Sequence, residues 1–348
     1  MKNKDLLVIR YRFYLFVFIA SILILLCLFS CQNTEEISDK PIIKFNKLIS
    51  KDLLEITITT DLEFLFEKKD DPAKNEIEIF QKAKCEILRD GKQFFKGKIK
   101  VKKRGVTRKK ICDISPVMMK FNKKGKAFKI KLVTPCQLNE NAQQLVYKEY
   151  LIYKMYGDLT PHSFKTQLVN ITYRDKKDKI PAIETTGFLI EEVNEAAERM
   201  TAKLLLHHEK IKYLNQNSYR LFTMFQYCIG NTDWNLSKRH NIKLIRKYNS
   251  DSPIPIPYDF DYAGLVDAPY AIPHPQLPID HVRERYFMWR GKSFDGFEEV
   301  IELFENRKPI MLQRIENFDL LKEEEKKEMI DYIESFFLEL NQNGDFIS

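Results

Sequence analysis

The hydrophobic period of the chain first changes close to Pro135 and becomes mainly helical from Asn194, and this division limits the folds that are open to it. Between residues 41 and 135 apolar and polar side chains alternate, as in Leu53–Thr60, which is typical of half-buried β-strands. After Pro135 apolar residues recur every three or four positions, as in Ala142–Tyr156, which is typical of amphipathic helices. The sequence therefore predicts an α+β fold with a β-rich first lobe and a helix-rich second lobe.

Turn residues divide the two lobes into elements. Asp90-Gly91 separates two alternating runs and predicts a tight hairpin. The expected strands are Leu53–Thr60, Lys84–Leu88, Phe94–Val101, Val117–Phe121, Ala127–Val133, Gln167–Tyr173 and Thr186–Val193. Gly157 is expected to end the helix that begins near Ala142, and Ser218 to cap a helix that Gly230 closes. We expect the first lobe to span residues 51–193 and the second residues 194–348.

A polar loop follows the helix that Gly230 closes. It contains Asp233 and Asn241 and leads into the apolar run Ile242–Ile245. Carboxylate and amide oxygens in such a loop suit phosphoryl transfer, because a carboxylate accepts the proton of an attacking hydroxyl and hard oxygens bind Mg²⁺. Taken alone, both residues also fit the usual role of Asp and Asn in turns, where they bond their own backbone.

A second acidic segment comes after a proline-rich stretch. The prolines of Ser252–Pro257 hold the chain extended and lead to Asp259 and Asp261. Helix, Asp loop, Asn, strand and second Asp is the order in which kinase-type folds assemble a phosphoryl-transfer site. The order predicts that Asp233, Asn241 and Asp259 meet at one divalent cation.

This order resembles the spore-coat CotH-type atypical kinases and, less closely, the HipA-type kinases. In the first lobe, Val101–Arg108 resembles the family's strand and RGxxxR-like basic turn, and Val117–Phe121 resembles its lysine-bearing strand. The resemblance implies a two-lobed atypical kinase-like fold that uses ATP and Mg²⁺. The site residues that it implies are Asp233 as catalytic base, Asn241, Asp259 and Asp261 at the metal, Lys120, Arg104 and Arg108 at the nucleotide phosphates, and Glu149 as the ion-pair partner of Lys120.

Two features leave alternatives open. Seven residues separate Asp233 from Asn241, where typical kinases have four, so Asn235 is a substitute candidate for the metal-binding Asn. The basic stretch Lys98–Lys110 suits a phosphate grip, but lysines on a solvated strand edge also block aggregation.

The first thirty residues have the pattern of an export signal. Basic residues at positions 2, 4, 10 and 12 precede the uncharged run Phe13–Ser30. Leu28-Phe29-Ser30-Cys31 resembles the lipobox of bacterial lipoprotein precursors, which implies that lipid on Cys31 anchors the chain in a bacterial membrane, on its periplasmic or surface face. Residues 31–50 are then a polar tether. An uncleaved signal anchor is the alternative, because eighteen apolar residues are close to the length that spans a bilayer.

The remaining cysteines are Cys85, Cys112, Cys136 and Cys228. Their spacing lacks a CxxC pair and flanking histidines, which argues against a zinc site. One or two disulfides and isolated buried thiols are both compatible with the spacing.

The sequence thus predicts a membrane-anchored extracytoplasmic lipoprotein with a CotH-like kinase domain. It would bind ATP and Mg²⁺ and transfer phosphate to a hydroxyl of a protein or glycan acceptor. The formal net charge of +8 is too diffuse to predict a nucleic-acid partner. The competing hypothesis is a non-catalytic cell-envelope binding protein, since ATP is scarce outside the cytoplasm.

Overall fold

The computed structural model describes residues 44–66, 79–105, 112–123, 126–207, 209, 213–291 and 293–342. Strands dominate the first part of this region and helices the second, which confirms the predicted α+β class. Seven strands close into a barrel in the spatial order β1-β2-β3-β4-β5-β7-β6. Their bounds are β1 Leu54–Thr60, β2 Gln81–Arg89, β3 Lys92–Lys103, β4 Val117–Lys123, β5 Lys126–Val133, β6 Thr166–Asp175 and β7 Ile183–Ile190.

The barrel closes because β1 pairs with two neighbours, antiparallel with β2 and parallel with β6. The predicted turn between β2 and β3 is confirmed: Asp90 and Gly91 have φ values of +53° and +70°. Left-handed conformation at both positions is what a two-residue hairpin turn requires. Alternate side chains of β1 fill the barrel interior, and Leu54, Ile56 and Ile58 are at most 1% exposed.

Six α-helices and a small sheet make up most of the remaining regular structure in the described region. The helices are α1 Leu62–Phe66, α2 Glu140–Leu159, α3 Val193–Arg199, α4 Gln216–Cys228, α5 Phe297–Glu316 and α6 Glu323–Gln342. The second sheet has the order β10-β9-β8, with β8 Ala202–Leu204, β9 Ile242–Lys247 and β10 Ile254–Pro257. Pairing of β10 with β9 confirms that the proline-rich stretch is extended.

Two predicted helix ends are wrong. Helix α2 continues through Gly157 to Leu159 and stops where Thr160 becomes extended before Pro161. Helix α4 begins at Gln216, because the side chain of Asn215, and not that of Ser218, accepts the capping hydrogen bond.

Three hydrophobic clusters hold the described region together. One fills the barrel, a second lies among α2 and α4–α6, and a small third cluster joins Phe222 of α4 to Ile242 and Leu244 of β9. Phe188 of β7 belongs to the helical core, where its ring contacts the ring of Tyr153 on α2. The wall of the barrel and helix α2 therefore share one packed interface.

The amino-terminal predictions lie mostly outside the described residues. Residues 1–30, Cys31 and most of the predicted tether belong to that part of the chain. The end of the predicted tether is packed against the protein, since Phe45 and Leu48 are fully buried and belong to the barrel core. None of the helices in the described ranges is both long and apolar enough to span a bilayer.

One disulfide, between Cys112 and Cys136, is present in the described region. It joins the segment before β4 to the segment before α2, and the amide of Asp113 also donates to the carbonyl of Cys136 at 2.9 Å. Cys85 and Cys228 are buried free thiols. The described cysteines therefore include one disulfide and two isolated buried thiols, which are the two alternatives that the spacing left open.

Candidate functional site

The polar loop after α4 is held in place by a close backbone contact. Gly230 has a φ of +63°, and its carbonyl accepts a hydrogen bond from the amide of Gly264 at 3.0 Å. A methyl group at Gly230 would lie 2.0 Å from Tyr332 Oη, so glycine is required by both conformation and space. The loop and the segment around Gly264 are thereby fixed against each other.

Asp233 is oriented by three neighbours. Its amide donates to Asn231 Oδ1 at 3.0 Å, and its Oδ2 accepts from Asn241 Nδ2 at 2.9 Å. Its Oδ1 lies 3.0 Å from His240 Nε2. The side chain of Asp233 is nevertheless 37% exposed, so it remains within reach of a molecule at the surface.

Asn241 contacts Asp233 despite the long spacing. The loop folds back through a bridge between Asn235 and His240, and Asn241 itself has a φ of +51°. Its Nδ2 donates both to the Asp233 carboxylate and to the Asp233 carbonyl, at 2.9 and 2.8 Å. The alternative residue, Asn235, caps the turn by accepting from the amide of Lys238 at 2.8 Å.

Strand pairing brings the backbone just before Asp259 beside that of Asn241. Pro257 pairs with Ile242 at the end of the β9–β10 ladder, and the amide of Tyr258 donates to the carbonyl of Asn241 at 3.2 Å. Asp259 follows directly, with a φ of +68°. We call Asp233, Asn241 and Asp259 the acidic cluster. Two carboxylates and an amide are hard oxygen donors, which suit Mg²⁺.

Asp259 is also linked to helix α2. Its amide donates to Tyr153 Oη at 2.9 Å. Burial, followed by the negative charges of Glu149 and Asp259, raises the pKa of Tyr153 well above its ordinary value. Glu149 lies one helical turn before Tyr153 and is only 1% exposed. The structure thus places Glu149 beside the tyrosine that supports Asp259.

A lysine that sequence analysis did not single out lies against the acidic cluster. Lys131 of β5 is half-buried, and its Nζ is 4.5 Å from the centre of the Tyr258 ring. Burial, and then the positive charge of Arg104, lower the pKa of Lys131 to about 7, while the Asp259 carboxylate opposes this shift. Lys243 of β9 also faces Tyr258, at 4.7 Å. Lys131 and Lys243 therefore both lie against Tyr258, the residue before Asp259, and the charge of Arg104 acts on Lys131.

The other predicted site residues lie in different surroundings. The ammonium group of Lys120 lies 5.5 Å from the centre of the Phe80 ring, which Lys102 also faces. Asp261 is 8% exposed and accepts a hydrogen bond from the Tyr270 hydroxyl at 3.3 Å. Arg108 lies outside the described residues.

Sequence analysis missed Lys131, Lys243, Tyr153 and His240. The only signal for Lys131 was a basic residue between two apolar ones in a predicted strand. Its proximity to Asp259 depends on how the barrel packs on the β9–β10 hairpin. In the ranges that the structure describes, no group of three or more His, Cys, Asp or Glu side chains could hold a metal ion. Asp233 and His240 are in contact, so this finding means that Asp259 does not join them as a ready-made group of three; the direct side-chain contacts of Asp233 are to Asn241 and His240.

Comparison with solved structures gives a distant likeness. The crystal structure of the Helicobacter pylori proinflammatory kinase CtkA aligns with a TM-score of 0.36 and 10% sequence identity, covering 63% of this chain and 89% of that chain. No protein-family model and no curated protein matches the sequence. A likeness at this TM-score is too distant to indicate a function.

Proposed function

We propose that this chain is a membrane-anchored extracytoplasmic protein with an atypical kinase-like fold that binds a nucleotide with Mg²⁺ and transfers phosphate to a hydroxyl acceptor. The observation that carries the proposal is that Lys131 and Lys243 both lie against the ring of Tyr258, next to Asp259, with the charge of Arg104 also acting on Lys131. Like charges so close together repel each other, and the low pKa of Lys131 is partly a consequence. A polyanion such as a nucleotide phosphate chain removes this repulsion, whereas a neutral ligand does not.

Each member of the acidic cluster has a role in the proposed reaction. Asp259 and the amide oxygen of Asn241 would hold Mg²⁺, with Asp261 as a further acid behind them. When bound, Mg²⁺ neutralises charge on the phosphate oxygens. Asp233 would accept the proton of the acceptor hydroxyl as its oxygen bonds to phosphorus and the nucleoside diphosphate leaves. His240 and Asn241 hold the Asp233 carboxylate in one orientation.

Lys131 takes the phosphate-contacting role in this proposal, in preference to Lys120. Arg104 remains a phosphate contact, because its charge acts on both Lys131 and Tyr153. Glu149 supports Asp259 through Tyr153.

The proposed location outside the cytoplasm has two supports. The first is the lipobox-like sequence that ends at Cys31. The second is the disulfide between Cys112 and Cys136, since disulfides persist mainly in oxidising compartments such as the bacterial cell envelope.

A binding protein without turnover is the competing proposal, and one observation favours it. Both carboxylate oxygens of Asp233 already have a partner, in Asn241 and in His240. An aspartate with two partners holds a loop together without any need to accept a proton.

Thermal-shift titration combined with transfer of label from radiolabelled ATP distinguishes these proposals. With Mg²⁺ present, ATP should raise the melting temperature of the wild type and of Asp233→Asn by mass action, but not that of Asp259→Asn. Label should reach an acceptor hydroxyl, in the protein itself or in an envelope extract, only with the wild type. Asp319→Asn, at an exposed position far along the chain, is the matched control.

Binding without transfer in the wild type would favour the binding protein. Absence of any shift at millimolar ATP would contradict both the nucleotide and the metal assignments.

A further inference from the structure

A second candidate site lies behind the loop that carries Asp233. A cavity of about 710 Å³ is enclosed by the start of α4, the loop around Leu236 and Ser237, and the segment near Arg290. This volume lies within the range of about 300–1,000 Å³ that is usual for small-molecule sites. Asp233, Asn241 and Asp259 do not belong to its lining, so it is separate from the acidic cluster.

Three arginines give the cavity a positive charge. Arg220, Arg239 and Arg290 line it together with one carboxylate, that of Glu209. Glu209 accepts from the amide of Leu206 at 2.9 Å and lies 3.4 Å from Arg246, so its charge is already matched. The lining therefore keeps a net positive charge without a ligand.

Arg239 contributes a buried charge that no carboxylate balances among the described residues. It is 7% exposed, and its guanidinium donates to the carbonyls of Leu205, Leu206 and Glu209. Carbonyl oxygens satisfy the hydrogen-bonding capacity of the guanidinium but do not neutralise it. The positive charge of Arg239 is thus fixed in the cavity wall.

Arg220 and Arg290 are the groups available to a ligand. Arg220 donates to Asn217 Oδ1 at 3.0 Å, but its Nε is buried and has no hydrogen-bond partner within the described part of the chain. Arg290 is exposed at the cavity rim. The planar guanidinium of an exposed arginine such as Arg290 fits two oxygens of a phosphate or carboxylate at once.

The rest of the lining suits a ring. Tyr213 is 51% exposed, and Leu214 and Leu236 supply apolar surface. Tyr219 is held in place by Trp289, with ring centres 4.7 Å apart. An inorganic ion alone would leave this apolar surface uncovered.

We propose that this cavity binds a small ligand that carries a phosphate or carboxylate group on a body of ring size, with Arg220 and Arg290 holding the oxyanion. The site does not depend on the proposed phosphotransfer, because it shares no lining residue with the acidic cluster.

Isothermal titration of the full-length chain with phenyl phosphate, benzoate, inorganic phosphate and neutral benzyl alcohol tests this site. Phenyl phosphate or benzoate should bind, benzyl alcohol should not, and Arg220→Gln and Arg290→Gln should each raise Kd by roughly tenfold or more. Comparison of phenyl phosphate with benzoate identifies the oxyanion that the site prefers. Arg174→Gln, at an exposed position on the barrel, is the matched control for loss of one positive charge.

Two further variants keep the test decisive. Arg290→Glu reverses charge at an exposed position, so it should fold and should abolish binding even if Arg220→Gln is unstable. Asp259→Asn should bind the probe as the wild type does. Unchanged affinity in both Arg290 variants, or loss of probe binding in Asp259→Asn alone, would overturn the proposal.

Discussion

Lys120 and Lys131 lie on the adjacent strands β4 and β5, and their ammonium groups differ in what surrounds them. Lys120 pairs with Lys129 across the two strands, and Met118 pairs with Lys131, so all four side chains share one face of the sheet. Strand periodicity identifies that face, but it cannot tell which lysine meets the β9–β10 hairpin. In the structure, Lys131 lies against Tyr258 and its charge is coupled to Asp259, whereas Lys120 faces Phe80.

Nucleotide binding should therefore depend on Lys131 and not on Lys120. We expect Lys131→Met to weaken nucleotide affinity by roughly 10- to 100-fold, because a charge-assisted contact contributes about 1.5–3 kcal/mol. Lys120→Met removes the same charge from the same face and should change Kd less than about threefold. Fluorescence titration with a labelled nucleotide measures both, and equal losses in the two variants would contradict the assignment of Lys131.

Glu195 makes the stability of the protein pH-dependent. Burial raises its pKa from 4.5 to about 7, although the amide of Phe45 donates to its Oε1 at 2.5 Å and opposes this shift. Between pH 4.5 and 7 the unfolded state releases this proton more readily than the folded state does, so stability falls as pH rises. Below that window the carboxyl group is protonated in both states and the effect disappears.

We expect Glu195→Gln to remove this loss of stability at higher pH. The amide oxygen of the glutamine can still accept the hydrogen bond from the amide of Phe45. At pH 8 the variant should be more stable than the wild type by about 1–2 kcal/mol. This gain is smaller than the full pKa shift of Glu195 would give, because the side chain is partly solvated. At pH 4 the two should be equal. Urea denaturation at several pH values measures the difference, with the exposed Glu198→Gln as control; a difference that does not change with pH would refute the explanation.

At the scale of elements, the two glycines that were expected to end helices behave differently. Gly230 does so, with a left-handed φ and a close contact to Tyr332. Gly157 lies inside α2, where the nearest atom to an added methyl group would be Ser163 Oγ at 3.5 Å. The sequence alone cannot separate these cases, because the stop signal for α2 is Pro161 and the stop signal for α4 is the fold around Gly264.

Alanine at these two glycines should have opposite effects. Gly230→Ala should lower the free energy of unfolding by about 2–4 kcal/mol, from the strained φ and the clash with Tyr332 Oη. Gly157→Ala should raise it by roughly 0.5–1 kcal/mol, because glycine in a helix interior is costly. Chemical denaturation of both variants is the measurement. Destabilisation by Gly157→Ala would show that α2 is not continuous.

Local signals predicted most strands and the hairpin at Asp90-Gly91, because alternation and turn chemistry act over a few residues. They did not predict helix α5, nor the capping role of Asn215. For the candidate site, chain order suggested Asp233, Asn241 and Asp259, but basic residues such as Lys131 come from other elements and approach them only through packing.

At the scale of the whole molecule, charge is arranged around two separate places. The acidic cluster faces Lys131, Lys243 and Arg104 where the barrel packs on the β9–β10 hairpin. The arginine-lined cavity lies behind the same loop that carries Asp233. Both places bring basic side chains together, and the two proposals made for them both concern anionic ligands.

Anomalous diffraction from crystals of the protein grown with Mn²⁺ and a non-hydrolysable ATP analogue tests the central claim most directly. Mn²⁺ takes the same hard oxygen ligands as Mg²⁺ and can be located by its own signal. We predict a manganese peak at coordination distance from the Asp259 carboxylate and the Asn241 amide oxygen, with the phosphates against Lys131. A nucleotide bound elsewhere, or no metal at the acidic cluster, would contradict the proposed function.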